Sequence, residues 1–382
     1  MNILLKRQIL SSFLIFSILY SPIQSVFAQK SAHITGKDDL FKLITVTEGL
    51  EHPWGMVFLP DKRLLVTERP GRLRIIHNGQ LDPKPVTGLP DIKASGQGGL
   101  LDIALHPDYE QNQWIYFSYV SENHNGMGTE VARAKLIGKK LTELQVIFTL
   151  AEKSDTSRHF GGRLLFDKAH YLYISIGDRG NRPRAQKLSD HAGSMIRLHD
   201  NGRIPADNPY VSRQGIKPEI FSYGHRNPQG IALHPETGEI WSHEHGPQGG
   251  DELNLIKKGL NYGWPVITYG VNYGIGTKIG EGTHKSGMQQ PIYYWVPSIA
   301  PSGFTFYTGN KFPGWKNNLL VGSLKFQQLV RLKLKGKNIV YEERFLTRKL
   351  GRIRDVKTGP DGYIYILTDA RNGKLIRLEP KQ

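Results

Sequence analysis

Cysteine is absent from all 382 residues. That excludes disulfide staples, a thiol nucleophile and thiolate-bound zinc, so stability must come from packing, aided by a metal only if oxygen or nitrogen holds it. Acidic residues are scarce: 34 Asp and Glu stand against 50 Lys and Arg, a formal charge of +16. Such a balance suits anionic small molecules, acidic surfaces or nucleic acid. The basic residues are scattered, however, with no long Lys/Arg run and no zinc-finger spacing, which argues against nucleic-acid binding. Helical periodicity is also hard to find, and no apolar run after residue 28 is long enough for a transmembrane helix.

The one apolar run lies at the start. Lys6 and Arg7 precede Ile9 to Tyr20, and the stretch ends in Val26-Phe27-Ala28. This is the pattern of a secretory signal peptide over residues 1–28, cut after Ala28. It predicts a periplasmic or secreted soluble protein with no stable membrane insertion after cleavage. Lys6 and Arg7 carry two of the charges, so the mature chain keeps +14.

What the sequence does have is a repeated unit: an apolar strand, a turn of the HPD or PDG kind, then a second strand rich in aromatic and branched residues. Copies begin at Trp54, Gly99, Gly161, Asn227, Ser302 and Ile353. Six copies of a small antiparallel sheet that cannot bury both faces alone predict a closed radial array. The expected fold is all-β, a six-bladed β-propeller with long face loops, over residues 41–382 as one catalytic domain. Residues 29–40 are an N-terminal extension. Residues 179–215 and 257–301 become long loops of the kind that carry function.

Candidate site residues cluster at the strand starts. In GHRNPQGIALHPETGEIWSHEHGPQGGDELN, His234 falls in a turn, like His106 in the equivalent HPD, and each reads as structural. Antiparallel pairing brings Arg226 and Asn227 beside His245, Gly246 and Pro247. The glycines around Gly246 free backbone carbonyls, and hard cations such as calcium take carbonyl and carboxylate oxygens. His243 and His245 would face one side of a strand and keep zinc open, although no HExxH helix accompanies them. An acidic turn without an ion is the plain alternative. His159, beside Gly161-Gly162, has room for a ligand and the chemistry of a general base. A satisfied structural histidine is the commoner outcome for such a residue. Gln97 and Asn227 hold equivalent polar positions, and Lys325, Arg352 and Arg354 add cations suited to carboxylate or phosphate. Together with Arg226 they imply a polyanionic ligand.

These motifs resemble a known family. Gln97 in GQGGLLDIALHPDY, RHFGGRL, IGDRGN, GHRNPQG, HGPQGGDELN, GLNYGWP and the final RIRDV are similar to the soluble pyrroloquinoline quinone (PQQ)-dependent glucose/aldose sugar dehydrogenases, from about Leu50 to the C-terminus. The resemblance implies a six-bladed propeller carrying PQQ and Ca2+, which oxidises the anomeric hydroxyl of aldoses to a lactone by hydride transfer to PQQ and passes electrons to an external acceptor. It implies His159 as the base, with Arg226 stabilising negative charge on the quinone oxygen. Gln97, Arg226, Asn227, Lys325, Arg352 and Arg354 would hold the cofactor, with Trp295 over it. Gly246 and Pro247 carbonyls would bind one calcium, and Glu252 and Tyr262 would belong to a second. Arg158 stands where the glucose enzyme of this group has an acidic residue, and the chain is shorter. Both departures lean toward a broad aldose dehydrogenase.

Two other readings stay open on the residues alone: a calcium-dependent propeller lactonase, and a non-enzymatic propeller that binds carbohydrate or protein. The oligomeric state, monomer or dimer, is not written in the sequence.

Overall fold

The computed structural model describes residues 29–30 and 33–381; the expected cleavage point after Ala28 lies outside the described residues. Six antiparallel sheets are arranged radially as a β-propeller. Blade 1 comprises Pro53–Phe58, Leu64–Glu68, Arg72–His77 and Gln80–Leu81. Blade 2 comprises Leu100–Leu105, Trp114–Asn123, Gly126–Ile137 and Lys140–Thr149; blade 3, Leu164–Phe166, Leu172–Ser175, Ser194–Leu198 and Ile220–Tyr223. Blade 4 holds Pro228–Leu233, Ile240–Glu244, Asp251–Ile256 and Tyr293–Trp295; blade 5, Pro301–Phe306, Leu319–Ser323, Gln328–Lys335 and Asn338–Phe345.

Blade 6 is built from both ends of the chain. Ile353–Thr358, Ile364–Thr368 and Gly373–Pro380 take Phe41–Leu50 as their outermost strand. That pairing closes the ring and leaves no unpaired strand where the circle meets. The short segments Gln29–Lys30 and Ile34–Thr35 add parallel fifth strands to blades 4 and 5, so the extension is pinned against two blade edges.

A single blade cannot cover both of its faces, and the apolar side chains show how that is solved. Six large buried clusters sit one at each blade-to-blade interface, for example Leu65, Ile103 and Phe117 between blades 1 and 2, and Trp241, Phe304 and Val321 between blades 4 and 5. The turn histidines behave as expected. His106 Nδ1 accepts the backbone N–H of Asp108 (3.0 Å), and His234 Nδ1 accepts those of Glu236 and Thr237 (both 3.3 Å).

The innermost strands meet around the axis, where polar groups replace the apolar ones. Arg163, just before blade 3, is buried among four other blades. Its Nη1 reaches Asp102 Oδ1 (3.3 Å, blade 2) and Asp355 Oδ1 (3.2 Å, blade 6). Its Nε donates to Gln229 O (2.8 Å, blade 4), and the guanidinium lies 4.0 Å from the Trp54 ring of blade 1. The same two carboxylates take backbone N–H groups of neighbouring blades, Leu164 on Asp102 Oδ2 (3.0 Å) and Met56 on Asp355 Oδ2 (3.2 Å). Space for them comes from glycine: a Cβ at Gly303 would stand 1.8 Å from Asp355 Oδ1, and one at Gly55 2.7 Å from Asp102 Oδ1.

Replacing Arg163 by Met would leave two buried carboxylates facing each other without their cation. Removing one partner of a buried pair costs about 3–5 kcal/mol, so Arg163→Met should lower the thermal midpoint markedly in a calorimetric scan. A midpoint unchanged from wild type would contradict the role given to this residue.

Candidate functional site

At the end of the ring where the innermost strands begin, the loops surround a cavity of about 640 Å³. Its wall carries Gln97, Phe160, Gly161, Asn227, Gln229 and His245 together with Arg69, Lys325, Arg352, Arg354, Asp369 and His52. Of the expected residues, Gln97, Asn227, Lys325, Arg352 and Arg354 thus share one cavity, although their sequence positions span more than two hundred residues.

His159 is held at the rim, next to Phe160 and Gly161, by contacts that specify its ring. Its backbone is in the left-handed region (φ 55°), which a non-glycine residue adopts only where surroundings impose it. Its N–H donates to Gln97 Oε1 (2.8 Å). Nδ1 lies 2.6 Å from Asp178 Oδ1, so the proton sits on Nδ1 and the Nε2 lone pair is left for a ligand. Asp178 in turn accepts Trp264 Nε1 (2.7 Å) on Oδ2 and the Gly180 N–H (2.7 Å) on Oδ1. Burial lowers the His159 pKa more than the Asp178 hydrogen bond raises it. The imidazole is therefore neutral at pH 7 and able to accept a proton. Arg179 fixes both neighbours of the histidine: it donates to the carbonyls of Arg158 and Thr156 and stacks 3.5 Å from the Phe160 ring.

Arg226 donates from Nη1 to His245 O (3.1 Å), and its backbone N–H donates to Glu244 Oε2 (2.5 Å). Its buried Nε has no hydrogen-bond partner. Asn227 Oδ1 accepts Gly161 N–H (3.2 Å) and Gln229 Nε2 (3.3 Å), which ties blades 3 and 4 together at the cavity floor. His245 donates from Nε2 to Pro301 O (2.7 Å), and burial pushes its pKa down to about 3.

Charge on the wall is one-sided. Among the described residues, four permanent cations, Arg69, Lys325, Arg352 and Arg354, face one carboxylate, Asp369, an excess of three positive charges. Asp369 accepts Arg354 (2.7 Å) and Arg352 (3.4 Å). A cavity so lined fits a ligand with several carboxylates, and the unpartnered Arg226 Nε adds a donor nearby.

The oxygen-rich turn lies beside the cavity. Gly246 N–H donates to Asp251 Oδ1 (2.9 Å), while Asp251 Oδ2 accepts Ser298 Oγ and the N–H groups of Ile299 and Ala300. Burial still raises the Asp251 pKa to about 6. Glu244 and Glu252 stand directly opposite on paired strands. Burial first, then repulsion from Glu244, drives the Glu252 pKa well up. Both Glu244 oxygens already accept donors, His225 Nδ1 (2.9 Å) and the Arg226 N–H, so the Glu252 carboxylate is the hard-oxygen group of this pair that fits calcium. Tyr262 stacks on His225 (4.5 Å), and its hydroxyl donates to Leu255 O (2.5 Å) and accepts Lys257 N–H (2.9 Å). The nitrogen ligands that zinc would need do not converge: His243 is buried against Phe304, and His245 serves the Pro301 carbonyl.

Comparison with known proteins agrees with this geometry. Residues 50–377 match the family described as glucose/sorbosone dehydrogenase. The chain belongs to that family. It is 45% identical to the aldose sugar dehydrogenase YliI of Escherichia coli over 338 residues, 87% of this chain and 91% of that one. The apo-form crystal structure of the soluble E. coli aldose sugar dehydrogenase superposes with a TM-score of 0.87 at 43% identity, covering 89% of this chain and all of that one. The PQQ-bound aldose sugar dehydrogenase of Streptomyces coelicolor gives 0.73 at 28% identity, covering 90% and 99%.

In this glucose/sorbosone dehydrogenase family member His159 and Arg226 adjoin the lining residues Phe160 and Asn227 without being among them, and Trp295 is placed elsewhere. Trp295 is fully buried in the fourth strand of blade 4, where Nε1 donates to Glu342 Oε2 (3.0 Å). It packs in the blade 4–blade 5 interface and does not line the cavity, so it cannot cover a ligand there. The family resemblance set it over the cofactor, but strand pairing to Asp251 turns it into the core. Asp178, Trp264 and Asp369 were missed as partners, although IGDRGN and NYGWP stood out as motifs. Their roles depend on contacts across 86 residues of chain for Asp178–Trp264 and 317 for Asp369–His52, which no spacing rule reveals. Another cluster, His106, Asp108 and His170, groups possible metal ligands away from the cavity. His106 Nδ1 is already taken by the turn N–H of Asp108, so it reads as a turn cap.

The dyad makes a measurable claim. In an NMR titration the His159 ring should titrate below the ordinary imidazole range, and Asp178→Asn should move it lower still. A rise on that substitution would show that Asp178 does not face the ring as described.

Proposed function

We propose that this protein is an exported PQQ- and calcium-dependent sugar dehydrogenase that oxidises the anomeric hydroxyl of aldoses to lactones and passes the electrons to an external acceptor. The observation that carries the reading is a neutral His–Asp dyad at the rim of a cavity with three excess positive charges. PQQ is a tricarboxylate, and the wall offers one surplus cation for each carboxylate. When bound, PQQ supplies the two-electron acceptor for the sugar's hydride.

The chain's own residues do the rest. His159 Nε2 takes the proton of the sugar hydroxyl, and Asp178 holds the ring in the required tautomer and stabilises the imidazolium that forms. Lys325, Arg352, Arg354, Gln97 and Asn227 would hold the cofactor, the last two through amide groups with capacity left after their contacts to His159 and Gly161. Arg226, with its free Nε, would face charge that develops during oxidation, where a donor fixed in advance is most effective. The Gly246 and Pro247 carbonyls would serve one calcium, and Glu252 and the Tyr262 segment a second. The lactonase alternative needs several carboxylates converging in the cavity. Among the described residues Asp369 is the one present, and two arginines hold it.

Reconstitution tests the reading. Stoichiometric uptake of PQQ with calcium, followed by bleaching of the quinone absorbance on adding an aldose, is expected; no bleaching with any aldose would favour a binding protein. His159→Gln should keep PQQ uptake and lose about 10²–10⁴-fold in kcat. Because burial keeps His159 neutral to lower pH than a free imidazole, wild-type kcat should fall only on the acid side of the ordinary imidazole value. A profile breaking above that value would contradict the assignment.

Calcium should also act on stability. Without an ion, a Glu252 pKa raised above its unfolded value means that stability is present at low pH and lost as pH rises through the raised value. Millimolar calcium should reverse this loss at neutral pH, seen as a higher thermal midpoint, and Glu252→Gln should remove most of the calcium-dependent gain.

A further inference from the structure

The cavity holds a second histidine–aspartate dyad that the steps above do not use. His52, just before the inner strand of blade 1, lines the wall and places Nδ1 2.9 Å from Asp369 Oδ1 of blade 6. Like His159 it has a left-handed backbone (φ 46°). That conformation is fixed from both sides: the His52 N–H donates to Ala370 O (2.8 Å), and the His52 carbonyl accepts the Arg69 N–H (3.0 Å). Strained backbone held this firmly concentrates at functional positions. The ring is about a quarter exposed toward the cavity. Asp369 takes Nδ1, which leaves Nε2 as the ring atom open to a ligand.

The partner's state fixes the chemistry of Nε2. Burial pushes the Asp369 carboxyl up, but Arg354, the His52 hydrogen bond and Arg352 together hold it well below the carboxylate range. Asp369 is therefore an anion that requires a hydrogen on Nδ1. A neutral ring then offers a bare lone pair at Nε2, which repels a carboxylate oxygen; a protonated ring offers a charge-assisted donor. The other charged groups around the ring are Arg352 and Arg354 from blade 6, Arg69 from blade 1, and Glu51, which pairs with Arg72. A bound polyanion would set negative charge beside Nε2 and favour the protonated, donating ring.

We propose that His52 is a further ligand-binding residue of this site, contacting a carboxylate of the bound polyanion through Nε2–H and taking up one proton from solvent as that ligand binds. This rests on the reading of the ligand as a tricarboxylate quinone. It predicts that cofactor loading is proton-linked through blade 1, apart from the proton handled by His159.

Calorimetric titration of PQQ into the calcium-loaded protein, at one pH in two buffers of different ionisation enthalpy, measures the proton count. Uptake approaching one proton is expected for wild type and for His159→Gln. His52→Gln should lose that uptake and bind PQQ about 10- to 100-fold more weakly. Ring ¹⁵N shifts of His52 in the unaltered protein read the same protonation without a substitution, so a poorly folded variant does not decide the matter. Equal proton uptake and affinity in His52→Gln, or a His52 ring unchanged by PQQ, overturns this inference and leaves the proposed function standing. Failure of wild type to bind PQQ overturns both.

Discussion

The central ion pair of Arg163 with Asp102 and Asp355 is the constraint on which the rest of the molecule depends. A propeller needs its blades to agree at the axis, where each contributes one strand and apolar side chains of ordinary size would not fit. Here one guanidinium contacts groups from blades 1, 2, 4 and 6 while standing at the head of blade 3. Two aspartates carry this charge outward to backbone N–H groups of the adjacent blades, and Gly55 and Gly303 leave the space they occupy. Buried charges are costly unless paired and hydrogen-bonded on every side. A single displaced blade would leave one of them exposed to that cost, so the plug specifies how the blades are phased around the axis.

The cavity inherits its geometry from this plug. Arg163 Nη2 donates to the Arg354 carbonyl and Nε to the Gln229 carbonyl, so the strand starts that carry the wall are tied directly to the axis. On that frame the two histidine dyads, Asp178–His159 and Asp369–His52, are similarly built: a buried carboxylate on a loop after a blade's second strand orients a histidine with left-handed backbone that precedes an inner strand. The strain at each histidine is balanced by backbone hydrogen bonds to its neighbours. Such placement keeps the ring nitrogens in position without help from a ligand, which is what preorganisation requires.

The long loops add what the blades cannot. Trp264, between the third and fourth strands of blade 4, reaches Asp178 in the loop of blade 3, and Arg182 reaches Asn272 (2.7 Å). The two insertions therefore brace each other over the same end of the ring. The acidic pair of blade 4 sits where this bracing meets the second strand.

The sequence by itself determined the architecture, because the strand–turn–strand repeat and its glycine and HPD punctuation are local properties with a period that can be read directly. It also marked His159, Gln97, Asn227, Lys325, Arg352 and Arg354 as candidates, and the fold brings five of them, all but His159, into the lining of one cavity because a propeller gathers equivalent positions of its repeats at one end. What the tertiary structure alone decided is how those residues are partnered. Asp178 for His159 could not be read from spacing, since one carboxylate must be chosen among many. His52 and Asp369 carried no signal in the sequence, and their pairing exists because blade 6 closes against blade 1. Trp295 went the other way: the family resemblance pointed to a ligand, and strand pairing with Asp251 buried it between two blades. Arg163 is the sharpest case, an unremarked residue in RHFGGRL until five blades converge on it. Contacts at the axis and across the cavity depend on ring closure, a global condition that no local pattern contains.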